Sequence, residues 1–308
     1  MPQLTEDIHR SQISNQQFLF SKTDITTETE VSDLPAIISI EKLKEKFPEI
    51  LTPEKITRDG LNDQAMAIVA DAKTFGAMVI RLDDINFVIN PNDVITDLAG
   101  TIDKISKDVS GIWGLVDHVT LGCFFPESDE LQCLELIKKI KALFAKKCGE
   151  TASVGLAVYP TLSYSKDRIL ENAQKAMDHA DFFGADSCVA FDSVSLNISG
   201  DKFYQAGDLE GAMNEFYLAL KLDEKNVNVH NSLGVCYGIK EDLEKALLEF
   251  KTAIRLDPKE KMAIYNAGYI YFLKKEFTTA LEYFQKAEHI DDMVFEPAFQ
   301  TGRIYLEL

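Results

Sequence analysis

The stretch Gly200–Ala219, GDKFYQAGDLEGAMNEFYLA, returns in recognisable form as Gly234–Ala253 and Gly268–Ala287, at an interval of 34 residues. In each copy the opening glycine is followed after 12 residues by alanine, after 16 by phenylalanine and after 19 by alanine. A period of this length with small and aromatic residues at fixed positions is typical of helix–turn–helix repeats. The last third of the chain is therefore predicted to be an array of paired antiparallel helices.

This pattern resembles the tetratricopeptide repeat (TPR) family. The resemblance covers residues 193–308 and divides them into units 193–226, 227–260, 261–294 and 295–308, the last holding a single helix. It implies an all-α superhelix whose inner groove binds a protein or peptide partner. In the family's register the groove is lined by Asn197, Asp201, Tyr204, Asn231, Val235, Gly238, Tyr265, Tyr269, Phe272, Phe299, Arg303 and Leu306.

The predicted groove is amide-lined at one end and aromatic at the other. It lacks the Lys and Arg set with which some family members clamp a carboxylate. We expect an apolar or amphipathic peptide lying over the aromatic residues, with Asn197 and Asn231 bonding its backbone. The alternative is that Tyr265, Tyr269 and Phe272 pack against a neighbouring helix, because large exposed aromatic patches are uncommon on soluble monomers.

Between residues 57 and 192 the apolar residues alternate between the period of a strand and the period of a helix. The order β-α-β-β-α-β-α-β predicts an α+β sandwich in which helices cover a sheet. The predicted strands are Ala77–Leu82, Gly111–Val116, Val119–Phe125, Val154–Tyr159 and Ser187–Phe191, and the helices are Asp93–Ile105, Leu131–Lys147 and Lys166–Phe183.

Three strings in this region resemble GGDEF domains, the bacterial diguanylate cyclase family. Ser153–Pro160 (SVGLAVYP) is similar to a strand of the family, Asp59–Asn62 (DGLN) to its opening turn, and Leu82–Phe87 (LDDINF) to its metal-binding segment. The resemblance covers residues 57–192 and implies a nucleotide-cyclase-like sandwich with a β-α-β-β-α-β core.

The residues that such an enzyme needs are largely missing. The resemblance places a metal carboxylate on Asp83, but the glycine and acidic residues of the GGDEF hairpin fall on Asp117–Leu121, which reads DHVTL. The phosphate-binding lysine falls on Asp181, where an anion would repel a triphosphate. We therefore expect a degenerate domain with no catalytic residues and no cofactor. Mg²⁺ would bind only if a relict site of Asp83, Asp84 and Asp117 functions, and solvated carboxylates at strand ends are the alternative interpretation.

The N-terminal 33 residues are polar and are predicted to be a disordered tail. Its apolar cluster, Phe18-Leu19-Phe20, is interpreted either as a docking peptide for a partner or as a segment that packs on its own domain. Residues 34–56 are predicted to form N-terminal helices, the first from Ile37 to Phe47 and another beginning at Pro53.

The net charge of −18 argues against nucleic acid and anionic membranes as partners, because both are bound through Lys and Arg. The N-terminus has no signal peptide and the chain has no apolar run long enough for a membrane span, so a cytoplasmic location is expected. The 5 cysteines are predicted to be buried reduced thiols. A homo-oligomer is a further possibility.

Taken together, these features predict a non-catalytic bacterial signalling or scaffold protein. The degenerate GGDEF-like domain would serve as an interaction platform, and the TPR groove would recognise a partner. Two alternatives stay open at this point: a sensor that responds to a nucleotide or to cyclic di-GMP, and an active diguanylate cyclase.

Overall fold

A computed structural model describes residues 40–52, 57–290 and 295–307. These residues form two compact units, which divide the chain between Ile198 and Ser199. The predicted tail, the start of the predicted first helix and Pro53 lie outside the described residues. Within the described ranges, no helix has the length and apolar character needed to cross a membrane.

The first unit is built on a five-stranded mixed sheet with the order β2-β3-β1-β4-β5. Strand β1 lies at the centre and is antiparallel to both β3 and β4, whereas β5 is parallel to β4. The strands are β1 (Phe75–Leu82), β2 (Ile112–Leu115), β3 (Thr120–Pro126), β4 (Ala152–Tyr159) and β5 (Cys188–Ala190). All five predicted strands are confirmed, with shifts of a few residues at their ends.

The helices of this unit complete the predicted α+β order. They are α1 (Ile40–Lys46), α2 (Arg58–Ile68), α3 (Pro91–Asp108), α4 (Glu130–Cys148) and α5 (Ile169–Ala180). The predicted helix Lys166–Phe183 is continuous only in its middle, because short 3₁₀ turns at Lys166–Arg168 and Asp181–Phe183 flank α5. Cys188 is exposed, so the expectation that all five thiols are buried is wrong for that residue.

Two apolar cores lie on opposite faces of the sheet, because successive side chains of a strand point to opposite sides. Met78, Ile80 and Leu82 of β1 face a core shared with α1, α3 and α4. Phe75, Ala77 and Val79 face a second core shared with α2 and α5.

Helix α5 packs unusually close to the sheet at Gly155 of β4. A Cβ atom at this position would lie 2.2 Å from the carbonyl oxygen of Ala173 and 2.3 Å from the amide nitrogen of Met177. Both are backbone atoms of α5, which no side-chain rotation can move. The glycine in the SVGLAVYP strand is therefore required for helix and sheet to make contact.

The second unit consists of paired helices, as the 34-residue period predicts. Helix α6 (Ser193–Gln205) begins before the division between the units and continues through it. The others are α7 (Leu209–Leu222), α8 (Val227–Ile239), α9 (Leu243–Leu256), α10 (Lys261–Leu273), α11 (Phe277–Glu288) and α12 (Phe295–Glu307).

The period extends to the turns between paired helices. Gly207, Glu241 and Lys275 are 34 residues apart, and their φ angles are 83°, 61° and 61°. Only glycine adopts this left-handed conformation without steric cost. The turn geometry is therefore kept even where the residue is not glycine.

The helices of each pair meet where a glycine faces a phenylalanine. A Cβ atom on Gly234 would lie 2.5 Å from the ring of Phe250, and the equivalent atoms on Gly200 and Gly268 would meet Phe216 at 2.4 Å and Phe284 at 2.9 Å. These three rings are fully buried. The repeating Gly and Phe positions thus form one interhelical contact, in which the bare Cα accepts the ring.

We expect Gly234→Ala to destabilise the repeat unit. Overpacking a filled site costs about 1–3 kcal/mol, which exceeds the gain of about 1 kcal/mol from replacing a helical glycine. Gly302→Ala is the matched control, since its Cβ would meet no atom of the described residues within 4 Å. Urea unfolding followed by circular dichroism should show a net loss of about 1–2 kcal/mol for the first variant and no loss for the second. Equal stability of the two variants would contradict this packing role.

Candidate functional site

The Asp83 carboxylate, predicted as a metal ligand of a relict site, is held by three protein donors. Its Oδ2 accepts hydrogen bonds from the Thr151 hydroxyl at 2.7 Å and the Asp186 amide at 2.7 Å, and its Oδ1 accepts one from the Ser153 hydroxyl at 2.6 Å. These groups lie at the end of β1, at the start of β4 and just before β5. Asp83 therefore ties three neighbouring strands together.

The other two members of the predicted relict site do not complete it. Asp84 has a left-handed backbone with φ 47° and precedes the 3₁₀ turn Ile85–Phe87. Asp117 accepts a hydrogen bond from the Val119 amide at 2.8 Å, which closes the turn between β2 and β3. Among the described residues, no group of three acidic, histidine or cysteine side chains is placed to hold a metal ion. The structure thus does not bring Asp83, Asp84 and Asp117 together as a metal site.

Asp181 has a cationic partner that the sequence analysis missed. Its carboxylate forms an ion pair with the guanidinium of Arg81 on β1, and both side chains are partly exposed. The expected repulsion of a triphosphate by a free anion at this position is therefore overstated, because Arg81 neutralises the charge. The signal was present in the alternation of β1, where Arg81 interrupts a buried apolar run.

His179, Asp192 and Ser195 lie together, but their geometry does not suit nucleophilic catalysis. Asp192 Oδ1 and Ser195 Oγ both lie 3.3 Å from the same ring nitrogen, Nδ1 of His179. A catalytic triad needs the hydroxyl and the carboxylate on different nitrogens. Asp192 also accepts hydrogen bonds from the Ser195 amide at 2.8 Å and hydroxyl at 2.9 Å, so the cluster organises the start of α6.

The pKa of Asp192 reflects this arrangement. Burial on its own would raise the pKa of the carboxyl, but the hydrogen bonds from His179 and Ser195 outweigh burial and hold the pKa below its usual value. The carboxylate is therefore stabilised in its charged form, as an acceptor at a helix N-terminus should be.

The residues predicted to line the TPR groove differ widely in exposure. Asn197, Asn231, Val235, Tyr265 and Tyr269 retain only 1–3% of their accessible surface. Asp201, Tyr204 and Phe272 are half-buried, whereas Phe299, Arg303 and Leu306 are exposed. The aromatic residues of α10 thus form no open patch, and a substitution at Tyr265 or Tyr269 is expected to disturb packing as well as binding.

The aromatic end of the groove is organised around α10 and α12. The rings of Tyr269 and Phe272 have centroids 5.7 Å apart, and the Arg303 guanidinium lies 4.9 Å from the centroid of Phe272. Gln300 of α12 donates to the Tyr265 hydroxyl at 3.5 Å. This end of the groove therefore combines apolar rings with one exposed cation.

Asn231, which we expected to bond a partner's backbone, has a partner within the array. Its Oδ1 accepts a hydrogen bond from Nδ2 of Asn266 at 3.0 Å, and both side chains are buried. The pair links α8 to α10. Asn266 lies one position beyond the predicted groove register, so periodicity alone did not reveal it.

His230 forms the charged centre of the second repeat. Its Nδ1 lies 2.6 Å from Oε2 of Glu249, and its Nε2 lies 3.0 Å from the backbone oxygen of Glu224. Both partners are acceptors, so the ring must carry two protons to donate to both. Burial and Arg255 lower the pKa of His230, but the hydrogen bonds to Glu249 and Glu224 outweigh them and raise it above its ordinary value.

Comparison with known families agrees with the repeat assignment. A family model described as TPR repeat matches residues 200–238, and one described as tetratricopeptide repeat matches residues 227–260 and 263–292. The repeats predicted from the 34-residue spacing are therefore confirmed as TPRs. No curated protein matches the chain in sequence.

Solved structures resemble each of the two parts. The first TPR of Spaghetti (RPAP3), bound to the HSP90 peptide SRMEEVD, is 16% identical and covers 37% of this chain and 91% of its own, with a TM-score of 0.36. The GGDEF domain of DgcB from Caulobacter crescentus, in complex with c-di-GMP, is 15% identical and covers 44% and 87%, with a TM-score of 0.39. The GGDEF domain of YfiN from Pseudomonas aeruginosa is 15% identical and covers 44% and 90%, with a TM-score of 0.40.

The raised pKa of His230 predicts how the stability of the repeats depends on pH. A group whose pKa is higher in the folded state stabilises the fold fully below its unfolded pKa, and this contribution is lost as pH rises through the folded pKa. We therefore expect the free energy of unfolding to fall between about pH 6 and about pH 9. His230→Gln should flatten this dependence, and His289→Gln, which changes an exposed histidine, should leave it intact. Matching profiles for wild type and His230→Gln would rule out this role.

Proposed function

We propose that the chain is a non-catalytic scaffold that binds a partner protein through the inner face of its TPR array. The partner would present an apolar or amphipathic segment, and the GGDEF-like unit would act as an interaction platform. The observation that carries this proposal is the exposed end of the groove, where Phe299, Arg303 and Leu306 lie beside the ring of Phe272. A cytoplasmic, signalling role is part of the same proposal.

The hydrogen bonds of Asp83 support the non-catalytic part of the proposal. A divalent metal needs carboxylate oxygens with free lone pairs, and each oxygen of Asp83 already accepts at least one short hydrogen bond. The hairpin that would carry the glycine pair has side chains at every position of Asp117–Leu121. A nucleotide could not approach that backbone as closely as it does next to glycine.

The non-catalytic role is tested with GTP. Incubation of the full chain with GTP and Mg²⁺ is expected to give no cyclic di-GMP by liquid chromatography. Asp83→Ala should lower stability by about 1–3 kcal/mol, because three donors lose their acceptor. Asp71→Ala, which removes an exposed carboxylate of the same unit, is the control. Formation of cyclic di-GMP, or calorimetric heat with GTP that disappears in Asp83→Ala, would favour the enzyme or the sensor instead.

The shape and chemistry of the array support the groove as the recognition surface. Paired helices stack side by side into a curved array, so the first helices of successive pairs share one concave face. Aromatic side chains and arginine dominate binding energy at protein interfaces, and both residue types occur at the exposed end of this face. The partner would therefore make its main contacts with α10 and α12.

We expect the double substitution Phe299→Ala with Arg303→Ala to weaken partner binding by at least about tenfold, as loss of a hot spot does. Phe299 is 52% exposed and Arg303 is exposed, so the fold should be retained. A partner captured by the full chain would be purified and its affinity measured by calorimetry. Leu248→Ala on α9, which is 63% exposed outside the predicted groove, should bind normally. Unchanged affinity of the double variant, with normal circular dichroism, would contradict the groove.

A further inference from the structure

We infer that the chain's own N-terminal segment, residues 10–27 around Phe18-Leu19-Phe20, occupies the inner face of the TPR array and competes with the partner. This inference rests on the proposed function, because it names the regulation of the same surface. It commits the segment to the groove rather than to another surface of the molecule.

The first observation is that the middle of the inner face is closed to solvent. Asn231 and Val235 of α8 and Tyr265 and Tyr269 of α10 each keep no more than 3% of their accessible surface. The concave positions of an array are not filled by packing between successive repeats, because each repeat contacts its neighbours along the sides of its helices. Side chains at these positions are buried only when something lies across the groove. The closed face therefore indicates an occupant supplied by the chain itself.

The second observation is the match between the segment and the face. Residues 10–27 read RSQISNQQFLFSKTDITT, in which a single apolar cluster follows a run of amides. The face has the same composition, with the amide pair Asn231 and Asn266 on one side and the rings of Tyr265 and Tyr269 on the other. Burial of a phenylalanine or leucine side chain contributes about 1.5–3 kcal/mol, so Phe18, Leu19 and Phe20 supply a driving force for docking.

The third observation is the length of chain available. Between Phe20 and the first described residue, Ile40, lie 19 residues. The 20 peptide steps that join them reach roughly 65 Å when extended. A unit of about 110 residues has a radius of gyration of about 13 Å, so the tether is longer than the unit is wide. The segment can therefore reach the groove, and the tether keeps it at an effective concentration of order millimolar.

The consequence is a groove that is occupied until a better ligand displaces the segment. Phe299 and Leu306 at the exposed end of the groove give an entering partner its first contacts. Further binding requires release of the N-terminal segment, which lowers the apparent affinity of the partner by the fraction of chains with an open groove.

The test uses a fluorescein-labelled peptide of residues 10–27 and the full chain. The variant Phe18→Ser with Leu19→Ser and Phe20→Ser keeps the chain length and removes the apolar cluster. By fluorescence anisotropy the peptide is expected to bind this triple variant at least about tenfold more tightly than it binds wild type, because the tethered segment competes only in wild type. Adding Phe272→Ala to the triple variant should abolish peptide binding, and adding Leu248→Ala should not. Circular dichroism of each variant checks that the array is folded.

Equal peptide affinity for wild type and the triple variant, or no binding to either, would overturn the inference. If this occurs while Phe299→Ala with Arg303→Ala still weakens the purified partner, the inference fails and the proposed function stands. If the partner is also insensitive to those substitutions, both fail. Light scattering at micromolar concentration gives the last outcome: a wild-type dimer that the triple variant converts to a monomer would place the segment in a second copy, against the intramolecular form argued here.

Discussion

A glycine that lets another element lie directly against its Cα atom is the constraint on which both units depend. In the sheet, Gly155 admits the backbone of α5 at 2.2 Å from where a Cβ atom would stand. In the repeats, Gly200, Gly234 and Gly268 admit the rings of Phe216, Phe250 and Phe284. Each contact removes a side chain to gain close packing, which protein interiors require. The two units have unrelated folds but solve the same steric problem in the same way.

The sequence predicted the elements well because their patterns are local. Alternation of apolar residues located all five strands, and the 34-residue period located the helices of the TPR array. The contacts of the candidate site were harder to predict because they join residues far apart in the chain. Asp83 meets donors about 70 and 100 positions away, and Arg81 meets Asp181 across 100 positions. No spacing rule connects such residues, so their roles as structural anchors became evident only in three dimensions.

The groove shows the limit of register-based prediction most clearly. The family register names positions that face inward, but it does not say whether water reaches them. Asn231 and Tyr265 face inward and are buried, whereas Phe299 and Leu306 face inward and are exposed. The difference depends on what lies across the face, and the paired positions of a repeat carry no information about that.

The turns between paired helices have a consequence for how such an array can change over time. After residues 207, 241 and 275, the backbone amides of Asp208, Asp242 and Glu276 donate to the carbonyls of Phe203, Tyr237 and Tyr271 at 2.9–3.0 Å. The joint is thus fixed by the main chain and tolerates glycine, glutamate or lysine at its centre. Superhelical pitch and ligand preference are consequently encoded by different atoms, so mutations can drift across the concave surface and create new specificities while the curvature is inherited unchanged.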